Sequence, residues 1–256
     1  MSDLVIRQFP CLSDNYGFLV HDPDSGETVT IDTPDADRIL AEADKAGWRI
    51  TQIWNTHHHF DHAGGNAAVK AATGARIVAP GYERERIPGI DTPVSDGDTV
   101  AIGDHVAQVL HTPGHTLGHV CYHFADDRLA FVGDTLFALG CGRLFEGTPE
   151  QMWTSLSRLA AWPEDTRLYC AHEYTQANAA FARSVDPDNI DLQAYAAAVD
   201  AERARGEPTV PTTVGAELLA NPFLRPADPA IRKRLGLESA DDTAVFAEIR
   251  RRKDSF

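Results

Sequence analysis

Short runs rich in apolar residues dominate the first part of the chain. Three runs of this kind are separated by turn residues and are typical of short strands: DLVIRQF, YGFLVHD and ETVTID. A helix is predicted over ADRILAEADKAG, because its apolar residues follow helical spacing and a glycine ends it. The next run, ITQIWNT, is rich in β-formers and indicates a buried strand that ends at Thr56. The pattern predicts a β-meander, a helix and a buried strand, in that order.

Strands and helices continue to alternate beyond this point. After a glycine-rich helix start at GGNAAVKAATG, five runs are strand candidates: RIVAP, DTVAIG, HVAQVLH, HVCYHF and RLAFVGD. Two β-rich blocks with interspersed helices fit two packed sheets covered by helices, so we expect a mixed α/β or α+β fold. From about Thr175 the spacing is Ala-rich and helical in FARSV, LQAYAAAVDAERARG and DDTAVFAEIRRRKD, with Pro-punctuated connectors at PTVPTTVG and NPFLRPADP. We expect one domain over residues 1–174 and a mainly helical domain over residues 175–256.

Composition and charge narrow the class of protein. The chain has 256 residues, 43% of them hydrophobic, and no apolar run approaches the roughly 18 residues that a membrane span needs. The 23 basic and 38 acidic residues give a net charge of -15, which disfavours nucleic acid as a partner. The N-terminal segment has no basic stretch leading into an apolar one, so we expect a cytoplasmic protein. Four separated cysteines without a CxxC pair argue against a disulfide framework and a thiolate zinc site.

Four histidines and an aspartate follow the strand that ends at Thr56, in the run HHHFDH. Alternate residues leaving a strand point the same way, so His57 and His59 can face one metal ion. Asp61 and His62 can face a second ion. The alternative is a polar loop of solvated histidines, but tracts of this composition are typical of metal sites.

A second series of histidines has spacing that suggests a helix face, but its Pro113, Gly114 and Gly118 argue against a helix. We expect a strand to end near His111 and the loop TPGHT to present His115 as a ligand. The other members of the series are expected to be satisfied histidines or supports of the ligands: His105, His111, His119 and His123.

Asp134 in FVGDT and His172 in YCAHEYT each follow an apolar strand. Alone, such an aspartate is more often a turn or cap residue than a ligand. His115 adds a third ligand to the pair of His57 and His59. His172 likewise adds a third ligand to the pair of Asp61 and His62. A carboxylate can bridge two ions, and Asp134 is the candidate for that role.

The string THHHFDHAGGN resembles the HxHxDH signature of the metallo-β-lactamase superfamily, and TPGHT, GDT and His172 follow in that superfamily's order. Within it, the whole chain resembles glyoxalase II, the hydroxyacylglutathione hydrolase family, through FVGDTLFALGCGRLFEGT, AHEYT, NPFLR and the terminal RRRKD. The resemblance implies a four-layer αββα sandwich followed by a helical glutathione-binding domain. It also implies two divalent metal ions, for which zinc is expected and iron or manganese also suit a His/Asp set.

Carried over position by position, the resemblance assigns three ligands to each ion. The first set is His57, His59 and His115, the second is Asp61, His62 and His172, and Asp134 bridges them. The glutathione contacts fall on Arg143, Tyr174, Arg250 and Lys253. For the last two, a solvated basic helix end is the alternative.

The chain departs from the family pattern at one place in this set. The family often has Lys-Phe-Tyr where this chain has Arg143, Leu144 and Phe145. Phe145 has no hydroxyl to contact glutathione, and the loss of one neutral hydrogen bond costs about 1 kcal/mol. We therefore expect altered substrate binding rather than a different reaction.

The resemblance implies a monomeric thioester hydrolase that converts S-D-lactoylglutathione, formed in methylglyoxal detoxification, to glutathione and D-lactate. A metal-bound hydroxide would attack the thioester, with Asp61 and Asp134 as the catalytic carboxylates. Two alternatives stay open. One is a persulfide dioxygenase of the same superfamily, which uses one iron held by two histidines and one aspartate, so that only the first metal site would work. The other is a non-enzymatic metal-binding module. A nuclease is disfavoured by the net charge of -15.

Overall fold

A computed structural model describes residues 2–256 and divides the chain into two compact units. Of the described residues, the first unit comprises residues 2–111 and Gly118–Gly133, and the second comprises Thr112–Leu117 and Asp134–Phe256. The domain boundary expected at residue 175 stays a prediction.

The first unit holds ten strands, three helices and one 3-10 turn. Strands β1 to β6 form a sheet in that order, antiparallel from β1 to β3 and parallel from β3 to β6. Strands β7 to β10 pair antiparallel, each with its neighbour in sequence. The elements are β1 (Val5–Cys11), β2 (Asn15–His21), β3 (Thr28–Ile31), α1 (Ala36–Ala46), β4 (Gln52–Trp54), α2 (Phe60–Ala63), α3 (Asn66–Thr73), β5 (Arg76–Pro80), the 3-10 turn Gly81–Glu83, β6 (Thr92–Val94), β7 (Thr99–Ile102), β8 (His105–His111), β9 (Val120–Phe124) and β10 (Leu129–Gly133).

Aromatic side chains join the two strand sets of this unit. Phe18 on β2 meets Phe131 on β10 with ring centroids 5.5 Å apart, and Trp54 on β4 lies 5.1 Å from Tyr122 and 5.8 Å from Phe124 on β9. The opposite face of the first sheet packs against α1 and α3 in one buried cluster, which includes Leu19, Ile39, Ile53, Val69 and Ile77. The predicted helix–sheet–sheet layering is present in this unit.

Three cations surround the buried carboxylate of Glu42 on α1. Arg7 Nε and Lys45 Nζ each donate to it at 2.8 Å, and Arg38 Nη2 lies 3.1 Å away. The hydrogen bonds from Lys45 and then Arg7 lower the pKa of Glu42 from 4.5 to about 2. The carboxylate therefore stabilises the folded state above pH 4.5, and this contribution is lost as the pH falls toward 2.

Replacing Glu42 by glutamine is expected to lower the free energy of unfolding at pH 7 by roughly 1–2 kcal/mol, because the cations are partly exposed and screened. The difference from the wild type should shrink as the pH falls from 4.5 toward 2. Urea unfolding of the metal-free protein at pH 6 and pH 3 measures it, with Asp44→Asn on the exposed side of α1 as control. An equal loss at both pH values would contradict the assignment.

The second unit is mostly helical after Thr175, as the spacing predicts. Strands β11 and β12 form a short antiparallel hairpin, and β13 pairs antiparallel with β14. The elements are β11 (Leu136–Phe137), β12 (Gly140–Cys141), α4 (Pro149–Ala160), β13 (Arg167–Cys170), α5 (Thr175–Val185), α6 (Ile190–Ala204), β14 (Thr212–Thr213), α7 (Val214–Ala220), the 3-10 turn Pro222–Leu224, α8 (Pro229–Leu235) and α9 (Asp242–Asp254). Within residues 2–256, none of the helices is both long enough and apolar enough to cross a lipid bilayer.

Candidate metal centre

His57 and His59 face each other in the loop after β4. His57 Nε2 lies 2.9 Å from His59 Nδ1, and the ring centroids are 4.6 Å apart. His57 is fully buried, whereas His59 is partly exposed. The alternation predicted for residues leaving a strand therefore brings two candidate ligand nitrogens together, as binding of one metal ion by both would require.

Asp61 and His62 form a second pair on the one-turn helix α2. Asp61 Oδ2 lies 3.4 Å from His62 Nε2 and accepts a hydrogen bond from Asn15 Nδ2 at 3.0 Å. His62 is buried, and the side chain of Asp61 is 37% exposed. His62 Nε2 and Asp61 Oδ2 thus lie close together, shortly after His57 and His59 in the sequence.

Asp32, which the sequence reasoning did not single out, holds both of these pairs. Its carboxylate accepts from the Thr56 amide at 2.7 Å, from the Thr56 hydroxyl at 2.8 Å and from His62 Nδ1 at 2.8 Å. Because the Thr56 hydroxyl donates to Asp32, it accepts from His57 Nδ1, 3.0 Å away. Both histidines therefore carry hydrogen on Nδ1 and present the Nε2 lone pair to a metal.

The local sequence does not distinguish Asp32 from an ordinary turn aspartate, and its position at the site comes from strand pairing. Asp32 follows β3, and β3 pairs in parallel with β4, so the ends of the two strands meet at one sheet edge. Asp32 also has a positive φ of 57°, a backbone conformation that is uncommon for residues with a side chain and is found at functional sites.

Replacing Asp32 by asparagine is expected to weaken divalent metal binding about 10- to 100-fold, because the histidines lose the acceptor that fixes their tautomers. Competition with a chromophoric chelator measures the affinity without turnover. Asp22→Asn is the matched control, since Asp22 is also buried after a strand but accepts from the backbone of a turn, at Asp24 and Ser25. Unchanged metal affinity in Asp32→Asn would refute this role.

In the second unit, one carboxylate lies between two imidazoles. Asp134 Oδ2 is 3.3 Å from His115 Nε2 and 3.4 Å from His172 Nε2, and all three residues are buried. His115 Nδ1 donates to the main-chain oxygen of Arg143 at 2.8 Å, which leaves its Nε2 free of hydrogen and directed at Asp134. His172 is stacked on Tyr174, with centroids 4.8 Å apart and planes 4° from parallel.

The TPGHT segment is a loop, as predicted from its proline and glycines. The Gly147 amide donates to the Gly114 carbonyl at 3.0 Å, and the Phe145 amide donates to the His115 carbonyl at 3.3 Å. A Cβ atom on Gly147 would lie 2.6 Å from Gly114 Cα, so glycine permits this close approach. The loop is thus fixed to the segment that follows Arg143.

The remaining histidines have other surroundings. His105 Nδ1 lies 2.8 Å from Asp127 Oδ1, and the His119 ring stacks on His57 at 4.9 Å. Burial lowers the pKa of His123, and the His111 ring lies 6.4 Å from that of Tyr82. His119 thus contacts a predicted ligand.

The donor set fits divalent metal ions. The side chains that belong to candidate metal-binding groups are His57, His59, Asp61 and His62 in the first unit and His115, Asp134 and His172 in the second. Imidazole nitrogens and carboxylate oxygens suit zinc, iron and manganese. The nitrogens that face away from these groups on His57, His62 and His115 each have a hydrogen-bond partner, as metal-binding histidines require. The assignment of individual ligands to two ions stays a prediction.

The four residues predicted to bind glutathione differ in exposure. The side chain of Arg143 is 58% exposed, and Tyr174 is 37% exposed. Lys253 lies over the rings of Phe181 and Phe256, and burial lowers its pKa. Arg250 is only 6% exposed and donates from Nη1 to the Cys141 carbonyl at 2.9 Å, so a solvated helix end does not describe it.

Comparison with known proteins identifies the family. Residues 18–172 match the model of the metallo-beta-lactamase superfamily, and residues 173–256 match that of the hydroxyacylglutathione hydrolase C-terminus. The hydroxyacylglutathione hydrolase of Maricaulis maris (strain MCS10) is 75% identical over 256 residues, which span all of both chains. The chain belongs to the hydroxyacylglutathione hydrolase family. The resemblance seen in the sequence motifs is confirmed.

Other members and neighbours agree with this family and its fold. The hydroxyacylglutathione hydrolase of Erythrobacter litoralis (strain HTCC2594) is 57% identical over 99% of this chain and 100% of its own. The crystal structure of ETHE1 from Myxococcus xanthus has a TM-score of 0.69 and 26% identity, covering 96% of this chain and 90% of that one. A structure of TTHA1623 in a di-iron-bound form has a TM-score of 0.61 and 25% identity, covering 86% and 100%. The predicted metallo-β-lactamase fold class is confirmed.

Proposed function

We propose that the chain hydrolyses S-(2-hydroxyacyl)glutathione thioesters, and that S-D-lactoylglutathione is the substrate, which yields glutathione and D-lactate. The observation that carries the proposal is the position of Asp134 Oδ2, 3.3 Å and 3.4 Å from one imidazole of each predicted ligand set. A carboxylate so placed suits a bridge between two ions, and ions bound there would activate a water molecule for hydrolysis without a side-chain nucleophile. The names of the curated relatives support the substrate class.

We further propose that two divalent ions, zinc by expectation, are held by the seven predicted ligands. His57, His59 and His115 would bind the first, and Asp61, His62 and His172 the second, with Asp134 shared. When bound, the ions would lower the pKa of coordinated water from about 15.7 toward 7 and polarise the thioester carbonyl. The partly exposed carboxylate of Asp61 would accept a hydrogen bond from the attacking water and orient it.

The cationic residues around this site suit a substrate with two carboxylates. Arg143 would donate to a glutathione carboxylate from its exposed guanidinium, and Lys253 would add a second positive charge. Tyr174 would contact the peptide from its position against His172. Arg250, which lies buried, would contribute its charge and hold the main chain at Cys141. We expect the protein to act as a cytoplasmic monomer without nucleic-acid or membrane partners.

The cysteines are not expected to act as nucleophiles. Burial raises the pKa of Cys141 to about 11 and that of Cys170 to about 12, so neither forms a thiolate near neutral pH. Cys141→Ser and Cys170→Ser should therefore each retain hydrolysis within a few-fold of the wild type, measured as kcat/KM. Complete loss in either variant, with the fold intact by circular dichroism, would show that the thiol takes part.

The test of the function is the loss of thioester absorbance from S-D-lactoylglutathione on protein of known metal content, before and after chelation. We expect hydrolysis that stops on chelation and returns when zinc is restored. A persulfide dioxygenase would instead consume oxygen with glutathione persulfide and leave the thioester intact. Metal binding without either reaction would indicate a non-enzymatic metal-binding module and would show that the proposal is wrong.

A further inference from the structure

Glu217 is a fully buried carboxylate on α7 whose hydrogen-bond donors are all neutral. Its Oε1 accepts from the hydroxyls of Thr212 at 2.7 Å and Tyr195 at 3.1 Å. Its Oε2 accepts from the Leu139 amide and from Asn221 Nδ2, both at 2.8 Å. Burial raises the pKa of this group, which reflects the cost of keeping an acid in the interior. A buried carboxylate destabilises the fold unless hydrogen-bond donors satisfy both of its oxygens.

The bonds on the Oε2 side hold the turn between β11 and β12. Leu139 lies in this turn with a φ of 57°, a left-handed conformation that a leucine rarely adopts. Asn221 Nδ2, besides its bond to Glu217, donates to the Gly140 carbonyl at 2.9 Å. Asn178 Nδ2 donates to the Ala138 carbonyl at 3.0 Å. Side chains from two helices thus hold a turn whose backbone would otherwise relax.

This turn lies between two residues of the proposed site. Strand β11 begins two residues after Asp134, and β12 ends two residues before Arg143. The Gly142 amide donates to the Thr135 carbonyl at 3.2 Å, which ties the two ends of the hairpin together. The Arg143 carbonyl in turn accepts from His115 Nδ1. A shift of the turn would therefore reach the bridging carboxylate, a metal-ligand histidine and the substrate-binding guanidinium.

We propose that Glu217 is a positioning residue that, through the Leu139 amide, fixes the β11–β12 turn and with it Asp134 and Arg143. The proposal rests on the function proposed above for those two residues. Glu217 does not touch the reacting atoms, and its effect is carried by the main chain.

The two sides of the carboxylate allow matched variants. Glu217→Met keeps much of the volume and removes the acceptor from both sides. Glu217→Gln can direct its oxygen at Leu139 and Asn221 and its NH₂ at Thr212 and Tyr195, because a hydroxyl can accept as well as donate. Thr212→Val and Tyr195→Phe remove donors from the Oε1 side alone. These last two are the controls, since they alter the same buried group without releasing the turn.

Two measurements on folded, metal-reconstituted protein test the proposal. Metal affinity, measured by chelator competition, reports the position of Asp134 without turnover. For thioester hydrolysis, KM reports the position of Arg143 and kcat reports that of Asp134. We expect Glu217→Met to weaken metal binding and raise KM, each about tenfold or more, because small displacements of positioned groups have large effects. Glu217→Gln should restore both values to within about threefold of the wild type, and the controls should stay within the same range even where their melting temperatures fall.

If Glu217→Met does not fold, Asn178→Ala serves in its place, since it removes one bond to the same turn and should move the same two values in the same direction. The proposal is overturned if Glu217→Met and Thr212→Val lose stability equally and keep wild-type metal affinity and KM. It is also overturned if glutamine fails to rescue. A wild type that binds metal but does not cleave the thioester would instead refute the proposed function, and the chelator competition would still decide the positioning role.

Discussion

Asp134→Ala is expected to lower kcat/KM for S-D-lactoylglutathione by about 10³-fold, the equivalent of several kcal/mol of transition-state stabilisation. The variant loses the carboxylate that lies 3.3 Å from His115 Nε2 and 3.4 Å from His172 Nε2. Two buried imidazoles then lack the oxygen between them, so the metal content should fall below that of the wild type. Thioester absorbance and elemental analysis of the same preparation measure both effects.

Asp127→Ala is the matched control for this variant. Asp127 also contacts a buried histidine, His105, at 2.8 Å, but it belongs to no candidate metal-binding group. We expect it to retain metal and hydrolysis within a few-fold. A binuclear site bridged by Asp134 is wrong if Asp134→Ala keeps the wild-type metal content and hydrolyses within tenfold of the wild type.

Gly142→Ala is expected to be the next most damaging of these substitutions, although the change is a single methyl group. A Cβ atom on Gly142 would lie 1.9 Å from the Asp134 carbonyl oxygen and 3.3 Å from His115 Cβ. Because the first contact is with main chain, the segment carrying Asp134 must move by about 1 Å, which for a catalytic group costs about 10² in rate. Measured kcat/KM should fall by that factor, with a lower melting temperature.

Gly81→Ala provides the comparison, because an added Cβ there meets only the Pro93 side chain at 3.2 Å and the Val94 carbonyl at 3.6 Å. Its activity should be close to that of the wild type. If Gly142→Ala were as active as Gly81→Ala, the segment from Asp134 to Arg143 would be too flexible to hold these two residues in fixed positions.

The clustering of candidate ligands in the loop after β4 can be predicted from the sequence because its signal is local. His57, His59, Asp61 and His62 lie within six residues, and the alternation along an extended chain brings the first two together. Proline and glycine in TPGHT likewise exclude a helix from local chemistry alone. The strands of the first unit were predictable for the same reason, except β6, whose three residues TPV are too short and contain a proline.

The supports of the site depend on contacts between distant segments. Asp32 holds His62 from a neighbouring parallel strand, and Glu217 holds Leu139 across 78 residues. Neither residue differs in its sequence surroundings from an ordinary turn aspartate or helix glutamate. The helix α4 was missed although its start, Thr148 and Pro149 with Gln151 completing a capping box, is a sequence-readable signal. The connectors predicted after α6 also contain the start of α7, the 3-10 turn Pro222–Leu224 and the start of α8.

Arg143 serves the proposed site with two chemically independent parts. Its carbonyl oxygen accepts the hydrogen bond from His115, and its partly exposed guanidinium lies 3.5 Å from Asp254 Oδ1. Every amino acid has the same carbonyl group, so the orientation of the histidine does not depend on which side chain this position bears. Mutation here can alter ligand preference while the metal ligand keeps its support, so the position is one at which substrate range can diverge during evolution without passing through an inactive intermediate.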